Sequence, residues 1–201
     1  MKSFLLATLA LLLCSAALAA PDTKSQLSFT GKQQMDFPCA LKSRLRIAVR
    51  SGEIRILPGA DDKISVQLSG KNVDKIQDLK AHFACSDASS ELHITGGPKS
   101  DLTTTIYIPK SVDLYVRIGA GDVSIEGISG SKDVELNAGD LSIAAGNPAD
   151  YGHIDLSVNT GEIDATPFGK ETGGLFRSVK KDGPGSYRLH AHVGSGQLSI
   201  R

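Results

Sequence analysis

Apolar and polar residues alternate along most of the chain, and the alternation is organised into five similar units. Each unit consists of an alternating run, a tight corner and a second alternating run. Alternation with a period of two is typical of a β-strand with one buried face. The units begin at Leu45, Leu114, Val134, Ile154 and Leu189. The pattern therefore predicts five pairs of short strands, each pair joined at a corner.

The five corners share one chemistry at three consecutive positions. A small residue comes first, then a glycine, then an acidic residue or Gln. The corner glycines are Gly52, Gly121, Gly139, Gly161 and Gly196. Glycine adopts a positive φ without steric cost, which a tight corner requires. Because like residues recur at like positions, the units are expected to stack with these glycines in one column.

Such stacking predicts an all-β fold, specifically a β-solenoid that resembles a single-stranded β-helix. Equivalent residues of neighbouring coils would then lie about 4.8 Å apart. The alternative is an antiparallel β meander or sandwich, in which each glycine corner is a hairpin loop. The solenoid is favoured because the corners are alike in all units whereas the other connections vary.

A short helix is predicted over about residues 73–83, with Asn72 as its N-cap. The apolar residues that recur there at helical spacing are Val73, Ile76, Leu79 and Phe83. Strands are expected to follow from Glu91 to Thr95 and from Leu102 to Ile108. A glycine-rich segment at about 167–186 predicts a loop insertion.

The N-terminal segment 1–19 has the features of a secretory signal peptide. Lys2 supplies a positive charge, residues 4–13 are apolar, and Ala17-Leu18-Ala19 fits the small-x-small cleavage pattern. Cleavage is expected after Ala19, with Ala20 as the next best site. Residues 20–43 then form an N-terminal arm or cap, and 44–201 form a single β-repeat domain.

Export follows from this segment, either to the periplasm or to the cell surface and medium. An uncleaved anchor is disfavoured because its apolar run is shorter than the roughly 20 residues that span a bilayer. Lipidation at Cys14 is disfavoured because a small residue does not precede that cysteine. No membrane span is expected after cleavage.

Two cysteines, Cys39 and Cys85, remain after cleavage. Two cysteines in an exported chain predict one disulfide. Two buried free thiols are the alternative, and metal ligation is disfavoured because neither residue belongs to a CxxC pair.

The charge balance narrows the range of partners. Lys and Arg together number 22, as do Asp and Glu, so the formal net charge is zero. A nucleic-acid partner is therefore not expected, since phosphate binding needs a basic excess.

One segment carries a resemblance to a known family. Residues 106–127 read IYIPKSVDLYVRIGAGDVSIEG, with a Pro-Lys lead-in, a Leu-x-Val run and a Gly-Asp corner. This segment resembles the bacterial "putative adhesin" domain-of-unknown-function family, and the likeness extends over 44–201. The resemblance implies an exported, repeat-built β domain at the cell envelope, without catalytic residues to transfer. Three corners depart from Asp and carry Glu53, Glu162 and Gln197.

Three groups of residues are candidate sites. The acidic corner column could bind calcium, but exposed corner carboxylates that accept hydrogen bonds from the backbone are favoured.

His190 and His192 share one strand face and are expected near Asp155 and Ser157. They could hold zinc with His153 as a third ligand, although ordinary outward polar residues are favoured. The segment 167–186 concentrates charged residues: Lys170, Glu171, Arg177, Lys180, Lys181 and Asp182.

These observations favour an exported, non-enzymatic β-solenoid module that binds an envelope or extracellular glycan or protein. No cofactor or metal is predicted. The alternative is a carbohydrate-active enzyme on a β-helix scaffold, which would need two carboxylates facing each other across a groove. Since the last unit ends at Arg201, self-association through an unpaired C-terminal coil is also expected.

Overall fold

The computed structural model describes residues 25–39, 41, 44–86 and 89–201. The expected signal peptide and Cys14 lie outside these residues. In the described ranges, fifteen strands alternate with short connections that include three-residue 3-10 turns at Val73–Lys75, Pro148–Asp150 and Thr166–Phe168. The first eight strands are β1 (Ser25–Thr30), β2 (Gln34–Pro38), β3 (Arg44–Ser51), β4 (Glu53–Pro58), β5 (Lys63–Ser69), β6 (Lys80–Cys85), β7 (Ser90–Thr95) and β8 (Thr103–Ile108). The remaining seven are β9 (Asp113–Ala120), β10 (Val123–Ile125), β11 (Lys132–Ala138), β12 (Leu141–Ile143), β13 (Tyr151–Ala165), β14 (Lys170–Asp182) and β15 (Tyr187–Ile200).

The strands form two layers that are joined through their longest members. The first layer runs in the order β1-β6-β7-β3-β9-β11-β15, and the second in the order β2-β5-β8-β4-β10-β12-β15. β15 belongs to both layers, because residues 189–195 pair with β11 and residues 198–200 pair with β12. β13 and β14 bend in the same way and extend both layers beyond β15.

The centre of each layer is parallel, and both ends are antiparallel. β3, β9, β11, β15 and β13 pair in parallel, as do β8, β4, β10 and β12. Antiparallel pairs join β1 to β6, β2 to β5 and β13 to β14. The arrangement is therefore solenoid-like at its centre, and the meander alternative describes only the ends.

The core lies between the two layers and is built by alternation along each strand. In β9, for example, Leu114, Val116 and Ile118 are buried while the residues between them are partly exposed. Equivalent apolar positions of neighbouring strands are in register, such as Val116 with Ile47 and Val134. Every second side chain along each strand therefore packs into one continuous apolar cluster.

The spatial order of the units differs from their order in the sequence. β15, the last strand, lies between β11 and β13 and is paired on both sides. The expectation of an unpaired C-terminal coil is therefore wrong. The chain end is also held, since the backbone N–H of Arg201 donates to the Ile143 carbonyl and its own carbonyl accepts from Ala145.

The predicted helix over 73–83 is wrong as well. Only the turn Val73–Lys75 is helical there, and β6 begins at Lys80 and pairs with β1 and β7. Ile76 and Leu79 are buried because the connection packs on the core at these two points. Their spacing from the buried residues of β6 happens to equal the spacing of residues along one face of a helix, and this coincidence produced the wrong prediction.

The predicted loop insertion over 167–186 is mostly strand. β14 spans Lys170–Asp182 and is antiparallel to β13 along nearly its whole length. Glycines within it indicated a loop, yet β14 forms a strand through backbone pairing with β13, and its side chains are nearly all exposed, so few of them need to pack.

Within the described residues, no helix has the length and apolar character needed to cross a membrane.

Candidate binding surfaces

The five corner glycines stack in one column, as the repeat predicted. Their order across the molecule is Gly52, Gly121, Gly139, Gly196 and Gly161, and their φ angles lie between 122° and 141°. The N–H of Gly121 donates to the Ala138 carbonyl at 2.9 Å, and the N–H of Gly139 donates to the Ser195 carbonyl at 2.9 Å. A Cβ on any of the last four would overlap the carbonyl oxygen of the glycine stacked beside it. The column therefore needs glycine for both its φ angle and its close backbone approach.

A groove of about 570 Å³ lies beside this column on the outer face of the second layer, and we call it the corner groove. β10 and β12 are only three residues long, so each presents a single outward side chain, Ser124 and Ser142. These serines are in register with Arg55 on one side and Ser199 on the other. The groove is lined by this row of small serines and by the longer side chains of Glu53, Glu126 and Arg201.

Three of the acidic corner residues, Glu53, Asp122 and Asp140, line the corner groove. Glu53 Oε2 accepts a hydrogen bond from Thr103 Oγ1 at 2.8 Å, and Arg55 Nη2 lies 2.6 Å from Glu53 Oε1. The bond from Thr103, followed by that from Arg55, lowers the pKa of Glu53. Asp140 Oδ1 accepts from the backbone N–H of Gln197 at 3.0 Å, the bonding pattern expected for a corner carboxylate.

A second groove, of about 380 Å³, lies on the outer face of the first layer, and we call it the histidine groove. His190 and His192 are in register with Asp155 and Ser157, as predicted. His192 Nδ1 lies 2.8 Å from Ser157 Oγ. His190 Nδ1 instead lies 3.1 Å from Asp133 Oδ1 on the strand at its other side.

Asp133 is the centre of an ion-pair network in the histidine groove. Arg117 lies 3.0 Å from Asp133 through Nη1 and 3.0 Å from Glu135 through Nε. Burial raises the pKa of Asp133, but hydrogen bonds from His190 and Arg117 outweigh it and the net shift is downward. Sequence reasoning missed Asp133 because it stacked the fifth unit on the fourth alone, whereas β15 also contacts the third.

The zinc ligands considered in the sequence are not brought together as a set. His153 Nδ1 lies 2.7 Å from Asp182 Oδ1 on β14. Across the described ranges, no three His, Cys, Asp or Glu side chains are grouped closely enough to hold a metal ion.

Lys132 is a buried cation that sequence reasoning also missed. Its side chain faces the core, where its register partners are Leu114 and Leu189. Nζ donates to the Gly130 carbonyl at 3.1 Å and to the Tyr151 hydroxyl at 2.9 Å, and Tyr151 donates to the Ala145 carbonyl at 3.1 Å. Burial lowers the pKa of Lys132 to about 8 and raises that of Tyr151 to about 12. The sequence held one signal of this site, because Lys132 occupies a strand position whose register partners, Leu114 and Leu189, are apolar.

Cys39 and Cys85 form a disulfide, with their Cα atoms 6.2 Å apart. Cys39 directly follows β2 in the second layer, and Cys85 ends β6 in the first layer. The bond therefore links the two layers at one end of the molecule.

Of the charged residues in the segment 167–186, Glu171 lines a groove of about 460 Å³ with the corner residues Glu162 and Gln197, and Asp182 contacts His153. The charged residues of this segment lie along β14, where Lys180 Nζ pairs with Asp155 at 3.0 Å and Lys181 Nζ donates to the Phe168 carbonyl at 3.1 Å.

A parallel, glycine-cornered core with polar outer faces defines a solenoid-like β domain. The chain belongs to the Toastrack DUF4097 family, whose model matches residues 42–169. This match confirms the resemblance to a domain-of-unknown-function family. A crystal structure described as a putative cell adhesion protein from Clostridium sporogenes ATCC 15579 is similar, with a TM-score of 0.48 and 12% identity over 89% of this chain and 98% of that chain. A comparison with curated proteins finds no match.

Proposed function

We propose that the protein is an exported, non-enzymatic, adhesin-like module that binds a repetitive glycan at the cell envelope through its corner groove. The observation that carries this proposal is the row of outward residues Arg55, Ser124, Ser142 and Ser199, held in register on neighbouring strands. Such a row repeats hydroxyl and charged groups about every 4.8 Å, which suits a ligand with repeated hydroxyls.

The rigidity of the row supports the proposal. Each strand of the row is held by parallel pairing on both sides, and in the adjacent glycine column a Cβ would overlap backbone at four of the five positions. Groups that are fixed before binding lose little conformational entropy when the ligand arrives, which favours affinity.

Binding is tested with insoluble peptidoglycan in a sedimentation assay and with an array of surface glycans. Ser142→Tyr fills the middle of the corner groove and is expected to weaken retention about tenfold or more. Ala48→Tyr places the same side chain on the outer face of the first layer and should bind as the wild type does. Equal retention of the two variants, or no retention of the wild type on either support, would contradict a glycan site in this groove.

The carbohydrate-active enzyme is the second function considered, and two of the carboxylates near the grooves, Glu53 and Asp164, are unsuited to be its general acid. A glycosidase acid needs a raised pKa. Hydrogen bonds lower the pKa of Glu53 in the corner groove and of Asp164 on β13. Release of reducing sugar from the bound glycan would favour the enzyme over the binding module.

Export remains part of the proposal and has its own test. The mature protein isolated from the envelope fraction or medium should begin at Ala20, as cleavage after Ala19 requires. An intact N-terminus starting at Met1 in the cytoplasmic fraction would contradict export.

A further inference from the structure

We propose that His82 and His93 form a binding site for a divalent transition-metal ion, Cu²⁺ above all, with water molecules completing its coordination. The two imidazoles lie on the outer face of the first layer. The corner groove lies on the outer face of the second layer, so the proposal is independent of the glycan site.

His82 and His93 lie directly opposite each other on antiparallel strands. His82 belongs to β6 and His93 to β7, and the two residues are register partners. Both are exposed and alternate with buried neighbours, so their side chains are on the same face of the sheet. The Cβ atoms of such a pair are about 4.5–5.5 Å apart. Two imidazoles that start this close together can reach one ion, since a metal–nitrogen bond is about 2.0–2.1 Å long.

Each of these imidazoles is held through one nitrogen, and the other nitrogen has no hydrogen-bond partner among the described residues. His82 Nδ1 lies 2.7 Å from Ser28 Oγ, which can accept its N–H and leave the lone pair on Nε2. His93 Nε2 lies 2.9 Å from Glu91 Oε1, so its N–H donates to the carboxylate and the lone pair is on Nδ1. Histidines that bind metals are typically oriented in this way by a partner at the second nitrogen. Both rings are therefore anchored before an ion arrives.

The surroundings of the histidine pair leave room for an ion and its waters. Ser28 is the register partner of His82 on β1, and Ala48 is the register partner of His93 on β3, so a small side chain flanks the pair on each side. The hydrogen bond from His93 lowers the pKa of Glu91, which keeps this carboxylate ionised at neutral pH. The negative charge of Glu91 offsets that of its register partner Arg46 and favours a cation beside His93.

The ligand set indicates the kind of ion. Imidazole nitrogen binds Cu²⁺, Ni²⁺ and Zn²⁺, whereas Ca²⁺ and Mg²⁺ take oxygen ligands. In the part of the chain that the structure describes, no group of three His, Cys, Asp or Glu side chains could hold a metal ion, so the protein supplies two imidazoles and water supplies the remaining ligands. A tetragonal set of nitrogen and oxygen ligands suits Cu²⁺, which is also the ion that such ligands bind most tightly.

His190 and His192 share the same outer face but lack this arrangement. They lie two residues apart on one strand, which separates their Cα atoms by about 7 Å. His192 also engages both of its nitrogens, Nδ1 with Ser157 at 2.8 Å and Nε2 with Asn159 at 3.5 Å. These two histidines therefore provide a matched control with the same number of imidazoles and a different geometry.

Equilibrium dialysis against Cu²⁺, at about pH 7.5 in a buffer that does not bind metals, measures uptake by the purified protein. His82→Asn/His93→Asn should lose about one bound ion per molecule relative to the wild type, whereas His190→Asn/His192→Asn should keep the wild-type uptake. Either single variant, His82→Asn or His93→Asn, should weaken binding about tenfold or more, because one imidazole cannot chelate the ion.

Two further measurements identify the ligands and check the fold. Electron paramagnetic resonance of the bound Cu²⁺ should show coupling to two nitrogen ligands in the wild type. An ion that binds only the folded chain should raise the midpoint of thermal unfolding of the wild type and of His190→Asn/His192→Asn, but not of His82→Asn/His93→Asn. Without metal, His82→Asn/His93→Asn should unfold close to the wild-type temperature, because both side chains are exposed.

Equal uptake of Cu²⁺ by the wild type and His82→Asn/His93→Asn overturns the proposal. An equal loss in the two double variants also overturns it, because the ion would then bind any outward imidazole, and so does a resonance spectrum without nitrogen coupling. Retained glycan binding by His82→Asn/His93→Asn leaves the proposed function intact and separates the two proposals.

Discussion

Lys132 is the residue at which the core departs from the repeat. Its pKa of about 8 in the folded protein, set mainly by burial, lies below its ordinary value of 10.5. Between these pH values the unfolded chain holds a proton that the folded protein has released, so the free energy of unfolding rises with pH. Below about pH 8 both states are protonated, and the unfavourable burial of the charge is fully present.

This burial gives a measurable pH dependence. The wild type is expected to gain about 2 kcal/mol of unfolding free energy between pH 7 and pH 9.5 in urea titrations. Lys132→Met should remove this gain, while Lys110→Met, at an exposed position, should keep it. Measurements stay below pH 10 because the raised pKa of Tyr151 acts in the opposite direction above that pH. An unchanged pH profile in Lys132→Met would contradict this account.

The corner glycines can be tested by separating φ strain from backbone collision. Gly139 and Gly146 both have positive φ, at 122° and 76°, but a Cβ on Gly139 would overlap the Gly121 carbonyl whereas a Cβ on Gly146 meets open space. Gly146→Ala should lower the unfolding free energy by about 1 kcal/mol and Gly139→Ala by about 3 kcal/mol or more. Equal losses in chemical denaturation would show that stacking adds nothing.

At the scale of elements, the disulfide secures the end of the molecule where β1 and β2 each pair with a single strand of the described ranges. Cys39 and Cys85 are separated by 46 positions, and closing a loop of that length stabilises a fold by about 4 kcal/mol in the chain-entropy account. Cys39→Ala/Cys85→Ala should therefore lower the unfolding free energy by about 2–5 kcal/mol, measured in urea. Reduced wild type provides the control and should lose a similar amount.

The strands could be predicted from the sequence where the polarity of each residue matches its burial in the fold. Strands such as β9 and β11 follow alternation closely, because both of their neighbours are strands and one face is fully buried. β14 and the connection at 73–83 were mispredicted because their conformation depends on partners that are distant in sequence. β14 adopts a strand through pairing with β13, against the preference of its own glycines.

At the scale of the whole molecule, the stacked column was predictable and the stacking order was not. Similar corners show that units stack, but they carry no information on which unit lies beside which. That order placed Asp133 next to His190 and left β14, rather than the C-terminal strand, at the edge. The histidine network and the position of β14 at the edge therefore had to come from the structure.

The position of β15 has a consequence for biosynthesis. Residues 187–200 connect β11 to β13, yet they are translated after both. While the ribosome is still elongating the chain, the hairpin of β13 and β14 has no neighbour to join, and the two layers lack their shared strand. Consolidation of the two layers therefore waits until residues 187–200 have been synthesised.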